Sequence, residues 1–141
     1  GTSQKEQWGL VGDVFVVGKT RGNLDDLENS YPEASFISSY DSLGNKKWTK
    51  LYPSYSQSGG TSVTISSNNS IIYGGQINSG SGDVFVSSVD SEGDQQWSIN
   101  LSGSGTEYLT GLTTDNNNNI YLSGYTYFYM DVYGFEKYKK Y

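Results

Sequence analysis

Three observations predict an all-β fold. Eighteen glycines and abundant Ser, Thr and Asn cut the chain into short segments, the punctuation of turns between strands. Those segments are rich in aromatic and β-branched residues, with a period of two in Trp97-Ser-Ile-Asn-Leu101, and helical periodicity is nearly absent. The segments also recur. Trp97 follows Trp48 by 49 residues, and Gly124 follows Gly75 by the same interval. A period of 40 to 50 residues holding four strands points to antiparallel four-stranded repeats arranged as β-propeller blades. A β-trefoil, with three four-stranded repeats in about this length, is the alternative.

The clearest repeat runs from Asp83 to Thr126. Asp83-Val-Phe85-Val-Ser-Ser-Val-Asp90 leads through Ser-Glu-Gly-Asp to Gln95–Leu101, then to Tyr108–Asp115, a run of asparagines, and Asn119-Ile-Tyr-Leu-Ser-Gly124. One copy earlier, Ala34-Ser-Phe36-Ile-Ser-Ser-Tyr-Asp41 falls on the first of these segments and Ser70-Ile-Ile-Tyr-Gly-Gly75 on the last. Gly18 precedes Gly75 by 57 residues, so the first copy holds an insertion within Asn23–Glu33. The 141 residues read as a single repeat domain with blades at 6–52, 59–101 and 108–141, the last without its Trp-bearing strand. In the third blade either Asp131-Val-Tyr133 falls on Asp83-Val-Phe85 or Phe135 falls on Phe85, with two registers open.

At the N-terminus, Gln7–Val11 pairs with Val14–Thr20 through a Gly12-Asp13 turn, or else Trp8 matches Trp48 and belongs to an outer strand. The insertion carries Asp25, Asp26 and Glu28, and its polar character predicts a solvated loop. Phe36–Asp41 and Lys46–Tyr52 form a hairpin whose Gly44 supplies positive φ. Trp48, Trp97, Phe36 and Phe85 are expected to be buried between blades, with Gly75 and Gly124 at tight backbone positions. In 120–125 both strand faces carry bulk, as suits a strand lying between two neighbouring sheets.

The pattern Asp-x-Phe-Val, then Asp-x-x-Gly-Asn/Asp, Trp, and Asn-Ile-Tyr-Leu-Ser-Gly-Tyr-Thr resembles the SBBP-type β-propeller repeat over nearly the whole chain. The second copy departs from it, with Ser66-Ser-Asn-Asn-Ser70 in place of Asp115–Asn119. The resemblance implies a secreted or cell-surface protein and transfers no catalytic residue.

Composition narrows the function. With neither cysteine nor histidine, the usual general base, thiolate nucleophile and commonest metal ligands are missing. A net charge of −6 disfavours nucleic acid, and no apolar run reaches bilayer length, so no membrane insertion is expected. Asp115, Asn117 and Asn119 resemble the start of a calcium loop but lack its Gly and distal Glu; Asx turns explain them without an ion, and no cofactor is expected. Tyr125, Tyr127, Phe128, Tyr129 and Tyr133 are the candidates for binding a ligand or partner. Asn68 and Asn100 head glycosylation sequons. The expected function is a non-enzymatic extracellular or surface module that assembles with copies of itself or another protein; the alternative is a carbohydrate-binding module using the Tyr-rich loops. A neighbour's Lys5–Val11 is one expected source for the strand missing from the third copy.

Overall fold

The computed structural model describes residues 12–53, 58–77, 82–132 and 135–140, with side chains of Ser58 and of residues from Phe128 onward outside that description. Among the described residues there are strands and no helix. The chain order is β1 (Val14–Thr20), β2 (Ala34–Tyr40), β3 (Lys46–Pro53), β4 (Ser58–Ile65), β5 (Ile71–Ile77), β6 (Asp83–Val89), β7 (Gln95–Leu101), β8 (Thr106–Thr114), β9 (Ile120–Val132) and β10 (Phe135–Lys140). They form three antiparallel sheets, ordered β1-β2-β3, β4-β5-β6-β7 and β10-β9-β8. The N-terminal pairing expected for Gln7–Val11 lies outside the described residues, as does any exchange of Lys5–Val11.

One five-residue turn recurs four times, because the same local chemistry recurs. In Asp41–Asn45 the Asp41 N–H donates to the Asn45 carbonyl at 2.9 Å and the Gly44 N–H to the Asp41 carbonyl at 3.0 Å. The same two bonds close 66–70, 90–94 and 115–119. The fourth residue of each sits at positive φ: Gly44 at 84°, Asn69 at 63°, Gly93 at 85° and Asn118 at 63°. This is a type I turn followed by a left-handed residue, which Gly and Asn accept most cheaply. The first residue holds the turn from its side chain. Asp41 Oδ1 accepts from the Leu43 and Asn45 N–H groups at 2.9 and 2.8 Å, and Asp90 and Asp115 do likewise. Ser66 replaces Asp in the second copy, and its hydroxyl accepts from the Ser70 N–H at 3.2 Å.

The 49-residue interval is also geometric. Strand bulges fall at Ser39/Tyr40 and Ser88/Val89, and again at Gly60/Ser62 and Leu109/Gly111. Phe36 stands opposite Gly18 and Phe85 opposite Gly75. A side chain at Gly75 would run into the Gly59 carbonyl, and one at Gly124 into the Tyr108 carbonyl. At both positions glycine lets two backbones close at a bulge.

The core lies between the first and second sheets. Ile37, Ile71, Tyr73, Ile77, Phe85 and Val89 are buried there, with Phe15, Val17, Trp48, Tyr52 and Val63 packed against them. Three rings fill its centre: Tyr52 to Tyr73 at 5.4 Å and Tyr73 to Phe85 at 5.5 Å between centroids. A fully buried side chain of this size contributes about 1.5–3 kcal/mol. β5 and β6, covered on both faces, are buried almost throughout, whereas β7 is exposed at every position.

Two expectations are corrected. Trp48 is half-buried rather than buried, and Trp97 is 39% exposed. Burial of a Trp on these outer strands depends on what the next sheet lays over it. Trp48 Nε1 donates to the Ser91 carbonyl at 3.1 Å; Trp97 has no such turn above it among the described residues. Phe36 is likewise half-buried, while Phe85 is buried at 5%. In the third repeat, Asp131 and Val132 do not open a copy of β6. They end β9, paired with Glu136 and Phe135 of β10. The cause is a run of strand-forming residues from Ile120 to Val132 with no turn chemistry to break it.

The insertion is pinned to the first sheet. Leu24 and Leu27 bridge each other, with Asp25 and Asp26 at φ 48° and 62°. Asp25 accepts from Thr49 Oγ1 at 2.5 Å and pairs with Lys46 Nζ at 2.8 Å, and its carboxyl is held below the ordinary range, chiefly by Lys46. Glu33 is buried at the base of the loop, where Arg21 at 2.9 Å and Lys19 at 3.5 Å meet its Oε1. The Arg21 hydrogen bond keeps its pKa low.

Candidate functional site

β7 carries Trp97, Ile99 and Leu101 on one face, opposite Ser88, Val86 and Val84 of β6. Their exposures are 39%, 50% and 43%. The matching row of the first sheet, Trp48, Lys50 and Tyr52, has partners at every position. Trp48 reaches Ser91, Lys50 pairs with Asp94, and Tyr52 OH donates to the Gly93 carbonyl at 2.6 Å. Burial pushes the Tyr52 phenol pKa up strongly and that of Tyr73 up to about 12, as a wet interface would not. The same row is thus closed in one repeat and open in the next.

Beside the open row lies a cavity of about 310 Å³ between the second and third sheets, with Val84, Leu101, Leu109, Leu122 and Gly124 in its wall. Its origin is legible from the repeat. Leu101 and Leu122 occupy the places of Tyr52 and Tyr73, so two aliphatic side chains stand where a pair of rings packs in the first interface. One wall is fixed by Gln76, whose amide accepts from the Leu109 N–H at 2.8 Å and donates to the Glu107 carbonyl. Glu107 in turn accepts from Thr126 Oγ1 at 2.9 Å and from the Gly103 N–H at 3.2 Å.

β8 pairs along one side of β9 from Ile120 to Tyr127, and the described part of β10 pairs along the other from Val132 to Tyr127. Ile120–Thr126 therefore has no strand on its second edge among the described residues. In the first two sheets that edge is filled, by β2 against β1 and β6 against β5.

Of the tyrosine candidates, the structure brings Tyr125 and Tyr127 together, their centroids 5.0 Å apart. Tyr108, which sequence reasoning missed, completes the group by stacking on Tyr125 at 5.0 Å. The signal for it was the pairing of Tyr108 with Tyr125 across the β8–β9 hairpin. Phe128 and Tyr129 are described only by backbone pairing to Lys139 and Tyr138, and Tyr133 lies outside the described residues. Asp115, Asn117 and Asn119 share one turn, but both Asp115 oxygens face donors. Oδ1 takes the Asn117 and Asn119 N–H groups, and Oδ2 takes Asn119 Nδ2 at 2.9 Å and Tyr121 OH at 3.0 Å. The Asn119 side chain is the main cause of its lowered pKa. No group of three or more metal-ligating His, Cys, Asp or Glu side chains occurs among the described residues. Asn68 and Asn100 are exposed.

Chemically, the site offers an apolar wall and an aromatic cluster. No protein-family model matches the chain, and no curated protein matches it in sequence.

Proposed function

We propose that this protein is a non-enzymatic interaction module of β-propeller type, working outside the cell or on its surface, which assembles with copies of itself or with another protein. The observation that carries this reading is the open row Trp97, Ile99 and Leu101. Contiguous exposed apolar surface recruits other chains, because water disfavours it. Stacked sheets in 49-residue register support the blade arrangement, and the repeat resemblance supports the location. Light scattering over a concentration series tests the reading. A mass rising above the 15.5 kDa protomer is expected; a monomer at every concentration, with no protein partner bound, contradicts it.

The stacked Tyr108 and Tyr125, the first of them 38% exposed, favour a second reading, a carbohydrate-binding module in which sugar rings lie on the tyrosines. Glycan-array binding lost in Tyr127→Ala supports it.

A further inference from the structure

We infer that the cavity between the second and third sheets is a binding site for a small uncharged aromatic compound, of about the size of a phenol or an indole. This goes beyond the interaction-module reading above and does not depend on it, since the site takes a free small molecule.

The two sheet interfaces differ in which positions change size. In the first, Gly60 admits Val17: an added Cβ at Gly60 would stand 3.3 Å from Val17 Cβ. In the second, Leu109 holds the place of Gly60 and Gly74 that of Val17, and an added Cβ at Gly74 would stand 2.8 Å from Leu109 Cδ2. Large and small have changed sides, and the contact stays closed. The ring pair is not exchanged in this way. Tyr52 and Tyr73 lie 5.4 Å apart between centroids in the first interface. Leu101 and Leu122 stand at the same places in the second, so both partners lose their rings together. The cavity of about 310 Å³ has both leucines in its wall.

Its size, lining and rigidity suit a free ring. Small-molecule sites begin at about 300 Å³. Val84, Leu101, Leu109 and Leu122 supply the apolar wall, and Tyr108 and Tyr125 also line it. Water gains few hydrogen bonds against aliphatic walls, whereas an apolar guest gains dispersion contacts there. An aromatic guest also meets the tyrosine rings. Leu101 and Leu122 are exposed, so the site opens to solvent. The wall is preformed, because Gln76 of β5 accepts from the Leu109 N–H at 2.8 Å and donates to the Glu107 carbonyl, tying β8 in place. Charge is selected against from both sides. An anion would meet the Glu107 carboxylate with no cationic side chain among the described lining residues, and a cation would give up its hydration to an aliphatic wall.

The probe is p-cresol, the side-chain ring of tyrosine as a free molecule, titrated against the whole chain and followed by ligand-observed NMR. Saturable binding to one site per chain is expected. Leu101→Tyr and Leu122→Tyr each restore a ring that the first interface carries. Each is expected to weaken p-cresol at least about tenfold while circular dichroism stays unchanged. 4-Methylcyclohexanol, similar in size but saturated, is expected to bind more weakly than p-cresol. The inference is overturned by p-cresol that never saturates, by binding that neither substitution weakens, or by equal binding of the saturated alcohol. Light scattering on the same samples separates the two readings. If p-cresol binds only by breaking an assembly apart, the cavity belongs to a partner's side chain and the inference fails. A chain that takes p-cresol but neither assembles nor binds a protein removes the module reading alone.

Discussion

Trp48 of the first sheet lies on Gly93 in the turn of the second, so closely that a Cβ at Gly93 would stand 2.9 Å from the indole. Gly44 holds the same place in the same turn one repeat earlier, at nearly the same φ, with nothing within 4 Å of its missing Cβ. The pair separates a backbone requirement from a packing one. Gly44→Ala should cost about 1–2 kcal/mol, the strain of a left-handed alanine. Gly93→Ala should cost at least about 1 kcal/mol more, because the indole must also move. Urea midpoints of the two variants check this, and equal losses would show that the Trp48 contact carries no weight.

The tryptophans themselves give the second prediction. Trp48→Ala removes a half-buried ring and its bond to Ser91, and should cost about 3 kcal/mol. Trp97→Ala, on the open row, should cost the unassembled protein less, about 1–2 kcal/mol, because the residue is 39% exposed. Denaturation at low protein concentration distinguishes them. Equal losses would mean that Trp97 is covered after all.

Glu33 predicts a pH dependence. Its folded pKa lies below the ordinary 4.5, first because Arg21 donates to it. A depressed carboxylate contributes stability that is present above its unfolded pKa and lost as pH falls through the folded one. The stability difference between the parent and Glu33→Gln should therefore be constant near neutral pH and shrink below about pH 4.5. A difference that stays flat down to pH 3 would contradict the Arg21–Glu33 pairing.

A chelator should leave the melting temperature unchanged, because Asp115 already spends both oxygens on three donors of its own turn and on the Tyr121 hydroxyl. Bound calcium would add stability by mass action, so a melting temperature that falls on chelation and recovers with calcium would make Asp115 a ligand.

Local chemistry was the legible part of the chain. The Asp-x-x-Gly turns and the glycine requirement at 75 and 124 depend on residues close in sequence or on a repeated interval. The open row was not legible, since the exposure of Trp97 depends on what a different sheet lays over it, and the Trp48 and Trp97 segments look alike in isolation. The same holds for Asp25, which the sequence places in a solvated loop and the fold binds to Lys46 and Thr49. The end of β9 misled for a local reason: Asp131-Val-Tyr resembles Asp83-Val-Phe, yet no turn residue precedes it, and the strand runs on to Val132.

The fluorescence of a chain whose only tryptophan is Trp97, made with Trp8→Phe and Trp48→Phe, tests most directly whether the open face is the contact surface. Acrylamide should quench it freely at low concentration. As the scattering mass rises, its emission should shift to the blue and quenching should fall in step. A mass that rises while Trp97 stays quenchable, or Trp97 protected from quenching in a 15.5 kDa monomer, would contradict the account.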